Sequence, residues 1–420
     1  MVPSGWNTLA LSEITKEKIS YGIVQAGPNV KDGIPYIKSA DVGGEIDVDS
    51  LQRTAKEIHH KYRRSSVHPN DIVFSLRGNI ARTSIVPTSL QEANLTQGTA
   101  RISVNDKNDT KFVYYKLAST PILNRINALS KGSTFKEISL EELRKVKLPL
   151  PPLPEQRKIA KILSTWDKAI STTERLIDNS KKQKKALMQQ LLTGKKRLLD
   201  DSGKPFEAEW EDRKLEDISS LMTDYVANGS FQSLRENVNV TESKNYALYV
   251  RLVDLRAGLG HSEQKYVDKE SFDFLKKSCL HGGELLMANI GANVGEVWQM
   301  PNVDLPATLA PNMLMTKFKS YIDSGYVYYF LASDFGQNRI SKVIAGSGHP
   351  KINKTELKQV KVLLPPLNEQ QKITKVLINA DKEIELLEQQ LADLKQEKKA
   401  LMQQLLTGKR RVKVDDKEVA

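Results

Sequence analysis

Basic and amide side chains recur at the predicted turns of the first 140 residues, between short apolar segments. Arg and Lys at turns can neutralise phosphates, whereas Arg, Asn and Gln can hydrogen-bond to base edges. Any one of them is more often a solvated surface charge, so the grouping carries the prediction. The candidate nucleic-acid contacts of this half are Lys38, Lys61, Arg63, Arg64, Arg77, Asn79, Arg82, Arg101, Ser133, Thr134 and Lys136.

A different polar set occupies the equivalent turns of the second half. Its candidate contacts are Arg251, Asn289, Asn293, Ser347, His349 and Lys351. Two different sets of side chains on equivalent turns are what reading two different half-sequences of DNA would require.

Catalytic motifs are absent from the sequence. There is no GxxxxGK[ST] or GxGxxG phosphate loop, no HExxH zinc motif, and no Asn-Pro-Pro-aromatic motif that could bind a flipped adenine. His59, His60 and His68 could form a metal cluster, but two adjacent histidines without a nearby cysteine favour surface residues. We therefore predict a binding protein with no catalytic residue, no metal site and no cofactor of its own.

The overall composition fits this interpretation. The chain has 420 residues, a net charge of +12 and 27% charged residues, which favours a polyanionic partner without establishing one. A single cysteine, Cys279, excludes an internal disulfide. The first twenty residues lack the apolar core of a signal peptide and no apolar run is long enough to span a membrane, so we expect a cytoplasmic protein.

Two long helices are predicted to position these turns. Residues 151–195 and 365–409 align without a gap at an offset of 214 and are identical at 26 of 45 positions. Paired prolines at each start and a glycine at each end, Gly194 and Gly408, are typical helix boundaries. About 38 residues at 1.5 Å each give a helix of roughly 55 Å.

The apolar residues of both helices recur at steps of three and four, which is a heptad pattern and requires a partner helix. We expect the two helices to pair with each other as an antiparallel coiled coil, since this buries both apolar stripes together. A long core helix inside one globule is the alternative. The residues predicted to form the helix pair and to support partner docking are Ile159, Leu163, Trp166, Ile170, Ile177, Leu187, Leu191, Ile373, Leu377, Ile384, Leu387, Leu391, Leu394, Leu401 and Leu405.

The repeat extends into the flanking regions. Residues 6–150 and 210–364 share the same series of short strands, turns and a short helix, for example FVYYKLAS from Phe112 and YVYYFLAS from Tyr326. We predict a mixed α/β (α+β) protein with two duplicated globular domains, joined by the two helices in a pseudo-twofold arrangement. The expected segments are a first domain at 1–150, a helix at 151–195, a linker at 196–209, a second domain at 210–364, a helix at 365–409 and a charged tail at 410–420.

The chain resembles the specificity subunit of type I restriction-modification systems. The resemblance rests on VPSGW at residues 2–6, the paired PPLPEQ and PPLNEQ helix openings, the KALMQQLLTGK helix ends and the KPFEAEW linker. It implies two target-recognition domains that each read half of a split DNA site, with the helices as the ruler between them. It also implies methyltransferase subunits, two per chain, and a separate motor subunit that cuts DNA, with S-adenosylmethionine, ATP and magnesium held by those partners.

Two other classes remain open at this point. A coiled-coil scaffold whose globules bind proteins would not protect a bipartite DNA duplex in a salt-dependent way. A single-chain restriction enzyme would methylate or cut DNA without partner subunits.

Overall fold

The structure, a computed structural model, describes residues 3–132, 136–346 and 348–414. The chain forms two compact units, and both boundaries between them fall inside the long helices. Unit 1 comprises the chain up to Arg175 together with the chain from Gln389, and unit 2 comprises Leu176–Glu388. Each unit therefore contains one globule and part of each long helix, which differs from the consecutive segments expected from the sequence.

The first globule is built from short strands and short helices. Its strands are β1 (Asn7–Ala10), β2 (Ser20–Tyr21), β3 (Ile34–Ile37), β4 (Arg53–Thr54), β5 (Ile72–Ser75), β6 (Thr83–Ile85), β7 (Asn94–Leu95), β8 (Thr99–Ile102) and β9 (Lys147–Leu150). Its helices are α1 (Lys56–Lys61), α2 (Thr110–Leu117), α3 (Thr120–Leu129) and α4 (Leu140–Lys145), and the long helix α5 (Leu153–Leu191) follows.

The second half repeats this series with insertions. Its strands are β10 (Glu211–Lys214), β11 (Ser219–Asp224), β12 (Val240–Thr241), β13 (Ala247–Val250), β14 (Lys265–Val267), β15 (Cys279–Leu280), β16 (Leu285–Ala288), β17 (Val297–Gln299), β18 (Ala307–Leu309), β19 (Met313–Phe318) and β20 (Lys361–Leu364). Its helices are α6 (Leu215–Ile218), α7 (Phe231–Asn237), α8 (Leu252–Ala257), α9 (Lys269–Phe274), α10 (Ser324–Ala332), α11 (Asp334–Ser341), α12 (Lys354–Lys358) and the long α13 (Leu367–Leu405).

The four-stranded sheets of the two units have the same strand order, whereas the second sheet has three strands in unit 1 and five in unit 2. Unit 1 contains the sheet β2-β8-β5-β6, and unit 2 contains its counterpart β11-β19-β16-β17. A second sheet holds a parallel pair in each unit, β3 with β7 and β13 with β18. An antiparallel pair, β1 with β9 or β10 with β20, joins the start of each globule to the strand before its long helix. The predicted mixed fold with duplicated domains is confirmed.

The main core of each unit lies between a sheet and the long helices. In unit 1, Phe74 and Phe112 pack with Ile159 of α5 and Leu405 of α13. In unit 2, Tyr326 and Phe330 pack with Ile373 of α13 and Leu191 of α5. Each globule therefore buries apolar side chains against parts of two helices that are distant in the sequence.

Local signals fix where each long helix starts and ends. The Gln156 side chain donates to the Pro151 carbonyl at 2.9 Å and accepts from the Asp109 backbone N–H at 2.9 Å, which ties the first turn of α5 to the start of α2. Gln370 makes the same pair of bonds in unit 2. At the other end Gly194 and Gly408 have φ angles of 71° and 70°, in the left-handed region where glycine ends a helix without strain.

The two long helices pair antiparallel within each unit. In unit 1, Lys395 of α13 lies 2.8 Å from Glu174 of α5, and Lys398 contacts Asp167. In unit 2, Lys181 of α5 lies 2.6 Å from Glu388 of α13, and Lys184 contacts Asp381. Residue numbers rise along one helix as they fall along its partner, as antiparallel pairing requires. None of the described helices is long and apolar enough to cross a membrane.

Candidate nucleic-acid interface

Four loops meet in unit 1, and we call this surface loop face 1. They are residues 38–44 after β3, 76–82 between β5 and β6, 96–98 between β7 and β8, and 136–138 before α4. The Leu76 N–H donates to the Gly98 carbonyl at 2.8 Å, and the Leu76 carbonyl accepts from the Ile138 N–H at 3.1 Å. The Ser39 hydroxyl donates to the same Gly98 carbonyl at 2.8 Å. These bonds fix the loop backbone, so the outward side chains can vary without disturbing it.

Loop face 1 carries several of the predicted contact residues. Asn79, Arg82 and Lys136 are exposed. Arg77 is also exposed, and its Nε donates to Glu137 at 2.8 Å. Because an exposed ion pair is worth about 1 kcal/mol or less, Arg77 can exchange Glu137 for a phosphate at small cost. Lys38 is half-buried and donates to Gln52 at 3.2 Å, while Ser133 and Thr134 lie outside the described residues.

A second basic patch lies away from the hydrogen bonds that define loop face 1. Lys61, Arg63 and Arg64 are exposed, and the Arg64 carbonyl accepts from the Ser20 hydroxyl of β2 at 3.2 Å. The cleft beside it is lined by Glu17, Lys18, Ser20, Tyr21, Arg64, Arg101, Leu140 and Arg144. Sequence reasoning missed Lys18 and Arg144, because no local pattern brings them to this cleft.

The prediction that Arg101 reaches DNA is corrected by its surroundings. Arg101 is 5% exposed, and its guanidinium donates to the Ser66 carbonyl at 2.7 Å and pairs with Glu17. Both contacts lie within unit 1, and all four residues of β8 are buried. Arg101 is therefore a structural residue that satisfies a buried carbonyl, and we remove it from the interface.

Unit 2 repeats the loop frame, and we call this surface loop face 2. It comprises Arg251 after β13, residues 289–296 between β16 and β17, 310–312 between β18 and β19, and 349–352 before α12. The Asn289 N–H donates to the Asn312 carbonyl at 3.1 Å, and the Ile352 N–H donates to the Asn289 carbonyl at 2.9 Å. These bonds correspond one for one to those of Leu76 with Gly98 and Ile138. The two faces therefore share a backbone frame.

The outward side chains of loop face 2 differ from those of loop face 1. Asn293, His349 and Lys351 are exposed, whereas Ser347 lies outside the described residues. The Asn289 Oδ1 atom is buried and accepts no hydrogen bond from the described residues. In this conformation the atom is therefore not accessible to DNA. Loop face 2 therefore presents fewer cations than loop face 1.

Arg251 was predicted to contact DNA, but it holds a buried carboxylate. Asp254 is fully buried and accepts from Arg251 Nη2 at 2.6 Å and from Arg251 Nε at 3.0 Å, with His261 Nε2 at 2.9 Å. Burial opposes ionisation of Asp254, but the Arg251 side chain and N–H and His261 outweigh it and lower the pKa of Asp254. Arg251 also donates to the Glu263 carbonyl and so helps to position the loop after β13, while 27% of its side chain stays exposed.

The three histidines do not form a metal site. His60 and His68 are exposed as expected, but His59 is 6% exposed, lies 3.2 Å from Asn94 Nδ2 and 3.4 Å from Glu92. His59 is thus a buried, hydrogen-bonded residue and not a surface one. Among residues 3–132, 136–346 and 348–414, no group of three or more His, Cys, Asp or Glu side chains could hold a metal ion.

The predicted helix-pair residues lie on the inner faces of α5 and α13. The buried ones are Ile159, Leu163, Ile177, Leu191, Ile373, Leu377, Ile384 and Leu405. The half-buried ones are Trp166, Ile170, Leu187, Leu387, Leu391, Leu394 and Leu401. Not one of them is fully exposed, which fits a continuous apolar stripe on each helix.

A polar clamp interrupts the apolar stripe once in each unit, and sequence reasoning missed it. In unit 2, Asp381 of α13 accepts from the Tyr329 hydroxyl at 2.6 Å and pairs with Lys184 of α5, whose Nζ lies 5.5 Å from the Tyr329 ring centroid. Unit 1 repeats it with Asp167, Tyr115 and Lys398. Burial raises the pKa of Tyr115, and the Asp167 hydrogen bond raises it further, so the phenol stays a donor. Each clamp joins both long helices to the globule.

A second clamp lies at the start of one long helix in each unit. Glu369 at the start of α13 accepts from Arg197 Nε at 3.0 Å, Arg197 Nη2 at 2.6 Å and Trp210 Nε1 at 3.1 Å. In unit 1, Glu155 accepts two 2.6 Å bonds from Arg411. The signal that could have found both clamps is that their charged residues recur at an offset of 214.

The family model of the type I restriction modification DNA specificity domain matches residues 3–180 and 207–396. The first match starts in the first globule and the second starts just before the second globule; both extend into the long helices, and together they cover most of the chain. The chain belongs to the type I restriction modification DNA specificity domain family.

Relatives of the same family match along nearly the whole chain. The type I restriction enzyme MjaVIII specificity subunit of Methanocaldococcus jannaschii is 26% identical, over 98% of this chain and 94% of the relative. The type I restriction enzyme EcoKI specificity subunit of Escherichia coli K12 is 24% identical, over 89% and 82%. A crystal structure of the type I restriction-modification S subunit from M. genitalium matches with a TM-score of 0.58 and 15% identity, over 96% and 97%. This specificity-domain fold is therefore duplicated in a single chain.

Proposed function

We propose that this chain is the sequence-specific DNA-binding subunit of a type I restriction-modification complex. In this proposal, globule 1 (residues 1–150) and globule 2 (residues 210–364) each recognise one half of a bipartite site. The observation that carries the proposal is the loop frame, whose two backbone hydrogen bonds recur in both units while its outward side chains differ. A fixed backbone with variable side chains suits recognition of two different base sequences.

Loop face 1 is the stronger candidate for phosphate contacts. Arg77, Arg82 and Lys136 supply exposed cations there, and Asn79 supplies an amide that can read a base edge. On loop face 2, Lys351 and His349 supply the contacts to the DNA phosphates, and Asn293 supplies the amide that can read a base edge. Phosphate contacts would supply affinity that falls steeply with salt, and the amides and arginines would supply sequence choice.

The chain directs chemistry that its partners perform. Methylation of an adenine requires the base to leave the duplex and enter a pocket, and the sequence contains no motif for such a pocket. We assign adenine methylation, with S-adenosylmethionine, to methyltransferase subunits that dock on α5 and α13. ATP and magnesium belong to a motor subunit where one is present.

The decisive experiment compares methylated adenines across the host genome with and without this gene. Loss of methylation at one bipartite motif, with all other motifs unchanged, is the expected result. Unchanged methylation at every motif would contradict the proposal and leave a protein-binding scaffold as the alternative.

Removing two cations of loop face 1 should weaken DNA binding. We expect Arg77→Ala combined with Lys136→Ala to lower the affinity of the assembled complex for its site about tenfold or more. The slope of log affinity against log salt should fall by about two units, because two phosphate contacts are lost. Binding to a duplex carrying the motif, measured by fluorescence anisotropy at several salt concentrations, tests both expectations.

Lys111→Ala is the matched control. Lys111 is an exposed lysine in unit 1, but it lies in the first turn of α2, where the preceding Asp109 N–H is bonded to α5. Its removal should leave affinity and salt slope nearly unchanged. Equal losses from the control and the double variant would mean that net charge, and not loop face 1, determines binding.

A further inference from the structure

A basic cleft lies in unit 1 between α13 and the start of α3. It has a volume of about 510 Å³ and is lined by Ala118, Ser119, Thr120, Pro121, Lys395, Lys398, Lys399, Met402, Gln403, Thr407 and Lys409. Lys398 contacts Asp167 and Lys395 lies 2.8 Å from Glu174. Lys399 and Lys409 are exposed and have no ion pair with any described residue. The cleft therefore holds two positive charges that the described part of the chain leaves uncompensated.

Unit 2 contains the same cleft at an offset of 214. It is lined by Lys181, Lys184, Lys185, Met188, Gln189, Thr193, Ala332, Ser333, Asp334 and Phe335. Each lining residue has its counterpart in the cleft of unit 1, and only two positions differ in residue type. Those are Asp334 and Phe335, which stand where unit 1 has Thr120 and Pro121.

At these two positions, the Asp334 carboxylate and the Phe335 ring occupy part of the cleft of unit 2. Asp334 Oδ2 lies 3.0 Å from Lys185 Nζ, and Lys185 is the counterpart of Lys399. The remaining volume is about 260 Å³, roughly half that of the cleft in unit 1. Unit 2 thus supplies its own carboxylate to this lysine set, whereas unit 1 has a neutral threonine there and more room.

We propose that the basic cleft of unit 1 binds an oxyanion, a phosphate or carboxylate group from outside the chain, at the position that the Asp334 carboxylate takes in unit 2. Lys399 makes the contact that Lys185 makes to Asp334, and Lys409 adds a second cation. Charge-assisted bonds from lysine to an oxyanion are stronger than neutral ones, and the cleft has space for a group larger than a side-chain carboxylate. This site is separate from both loop faces and does not depend on DNA binding.

The test uses the full-length chain and hydrogen exchange of the peptides that cover α3 and α11. Phosphate should slow exchange at α3 about tenfold when its concentration is about ten times its dissociation constant, with chloride adjusted to keep ionic strength constant. Thr120→Asp should slow exchange at α3 without phosphate and abolish the response. Asp334→Thr should create a new phosphate response at α11.

Three probes distinguish the source of the oxyanion. Inorganic phosphate represents a free anion, acetate represents a simple carboxylate, and a triglutamate peptide represents acidic side chains of a protein partner. Protection by phosphate would assign the site to a phosphate group, protection by acetate without phosphate would assign it to a simple carboxylate, and protection by the peptide alone would assign it to acidic side chains of a protein partner. No protection by any of the three, or a Thr120→Asp chain that responds like the parent chain, would overturn the proposal.

Lysine variants provide a second check that does not depend on the introduced carboxylate. Lys399→Ala combined with Lys409→Ala should abolish the response at α3 while leaving exchange in chloride nearly unchanged. Lys161→Ala removes an exposed lysine of α5 that does not line the cleft, and it should respond like the parent chain. A persistent response in the double variant would contradict the assignment of these two lysines.

Discussion

Replacing Glu369 with glutamine is expected to lower the free energy of unfolding of unit 2 by about 3 kcal/mol. Glu369 is completely buried and accepts hydrogen bonds from Arg197 and Trp210. Glutamine has the same shape but only one acceptor oxygen and no charge, so Arg197 loses its counter-ion. Breaking a buried ion pair typically costs about 3–5 kcal/mol, and the 27% exposure of Arg197 places the loss at the lower end, because water can reach the guanidinium.

Urea denaturation monitored by hydrogen exchange in unit 2 measures this loss. The control is Glu211→Gln, which breaks the pair of Glu211 with Arg213 at 2.7 Å, where both side chains are more than half exposed. That change should cost less than about 1 kcal/mol. If the two variants were destabilised to the same extent, burial of Glu369 would not be the source of its contribution.

Glu155→Gln provides a further comparison in unit 1. Glu155 is also buried, but its partner Arg411 is 44% exposed, and the Trp6 Nε1 atom has no hydrogen-bond partner among the described residues. The clamp of unit 1 thus has one hydrogen bond fewer than that of unit 2. We expect a smaller loss of stability in unit 1.

Replacing Lys116 with methionine is expected to stabilise unit 1 near pH 7 by about 1–2 kcal/mol. Lys116 is 4% exposed, its Nζ donates to the Leu406 carbonyl, and it lies 5.0 Å from the Trp6 ring centroid. Burial lowers the pKa of Lys116 from 10.5 to about 8. Methionine keeps most of the side-chain volume without the charge, and Phe330 at the equivalent position of unit 2 shows that an apolar side chain suits this site.

The pH dependence of stability gives the sharper test. Below about pH 8, Lys116 is protonated in both the folded and the unfolded chain, and the folded state bears the cost of burying the charge. Between about pH 8 and pH 10.5 the folded chain releases the proton while the unfolded chain still binds it. Stability of unit 1 should therefore rise with pH in this window, by about 3 kcal/mol at most.

In Lys116→Met this rise should disappear. Urea denaturation of the parent chain, the variant and the control Lys111→Met across this pH range separates Lys116 from other titrating groups. Lys111 lies on the same helix and is exposed, so its removal should leave the rise unchanged. A parent chain whose stability does not rise relative to Lys116→Met would show that the buried amine does not titrate as inferred.

The two clamps explain how the halves of this chain are each stabilised. In each unit, an Asp of one long helix pairs with a Lys of the other long helix. A Glu of the first helix pairs with an Arg that follows the other helix. An aromatic residue of the globule lies next to each pair. The same contacts serve both units, while the loop faces carry different side chains. The two halves therefore share the clamp contacts between helices and globule, whereas their outward loop residues differ. This pattern suits a protein that recognises two different half-sites with the same loop backbone.

The sequence by itself determined the elements and their duplication. Prolines, terminal glycines and the three-and-four spacing from Ile159 to Leu405 predicted both long helices, because helix periodicity and caps are local properties. The same spacing predicted a partner helix, and the offset of 214 predicted two equivalent globules.

Only the tertiary structure decided which polar residues face outward. Arg101 has the residue type of a DNA contact, but it donates to the buried Ser66 carbonyl, which lies 35 residues away in the sequence. His59 was expected at the surface and lies in the interior. The physical reason is that the local sequence does not distinguish a polar side chain that faces water from one that contacts a buried partner. The partner comes from a distant segment and reaches the side chain only when the two segments pack together.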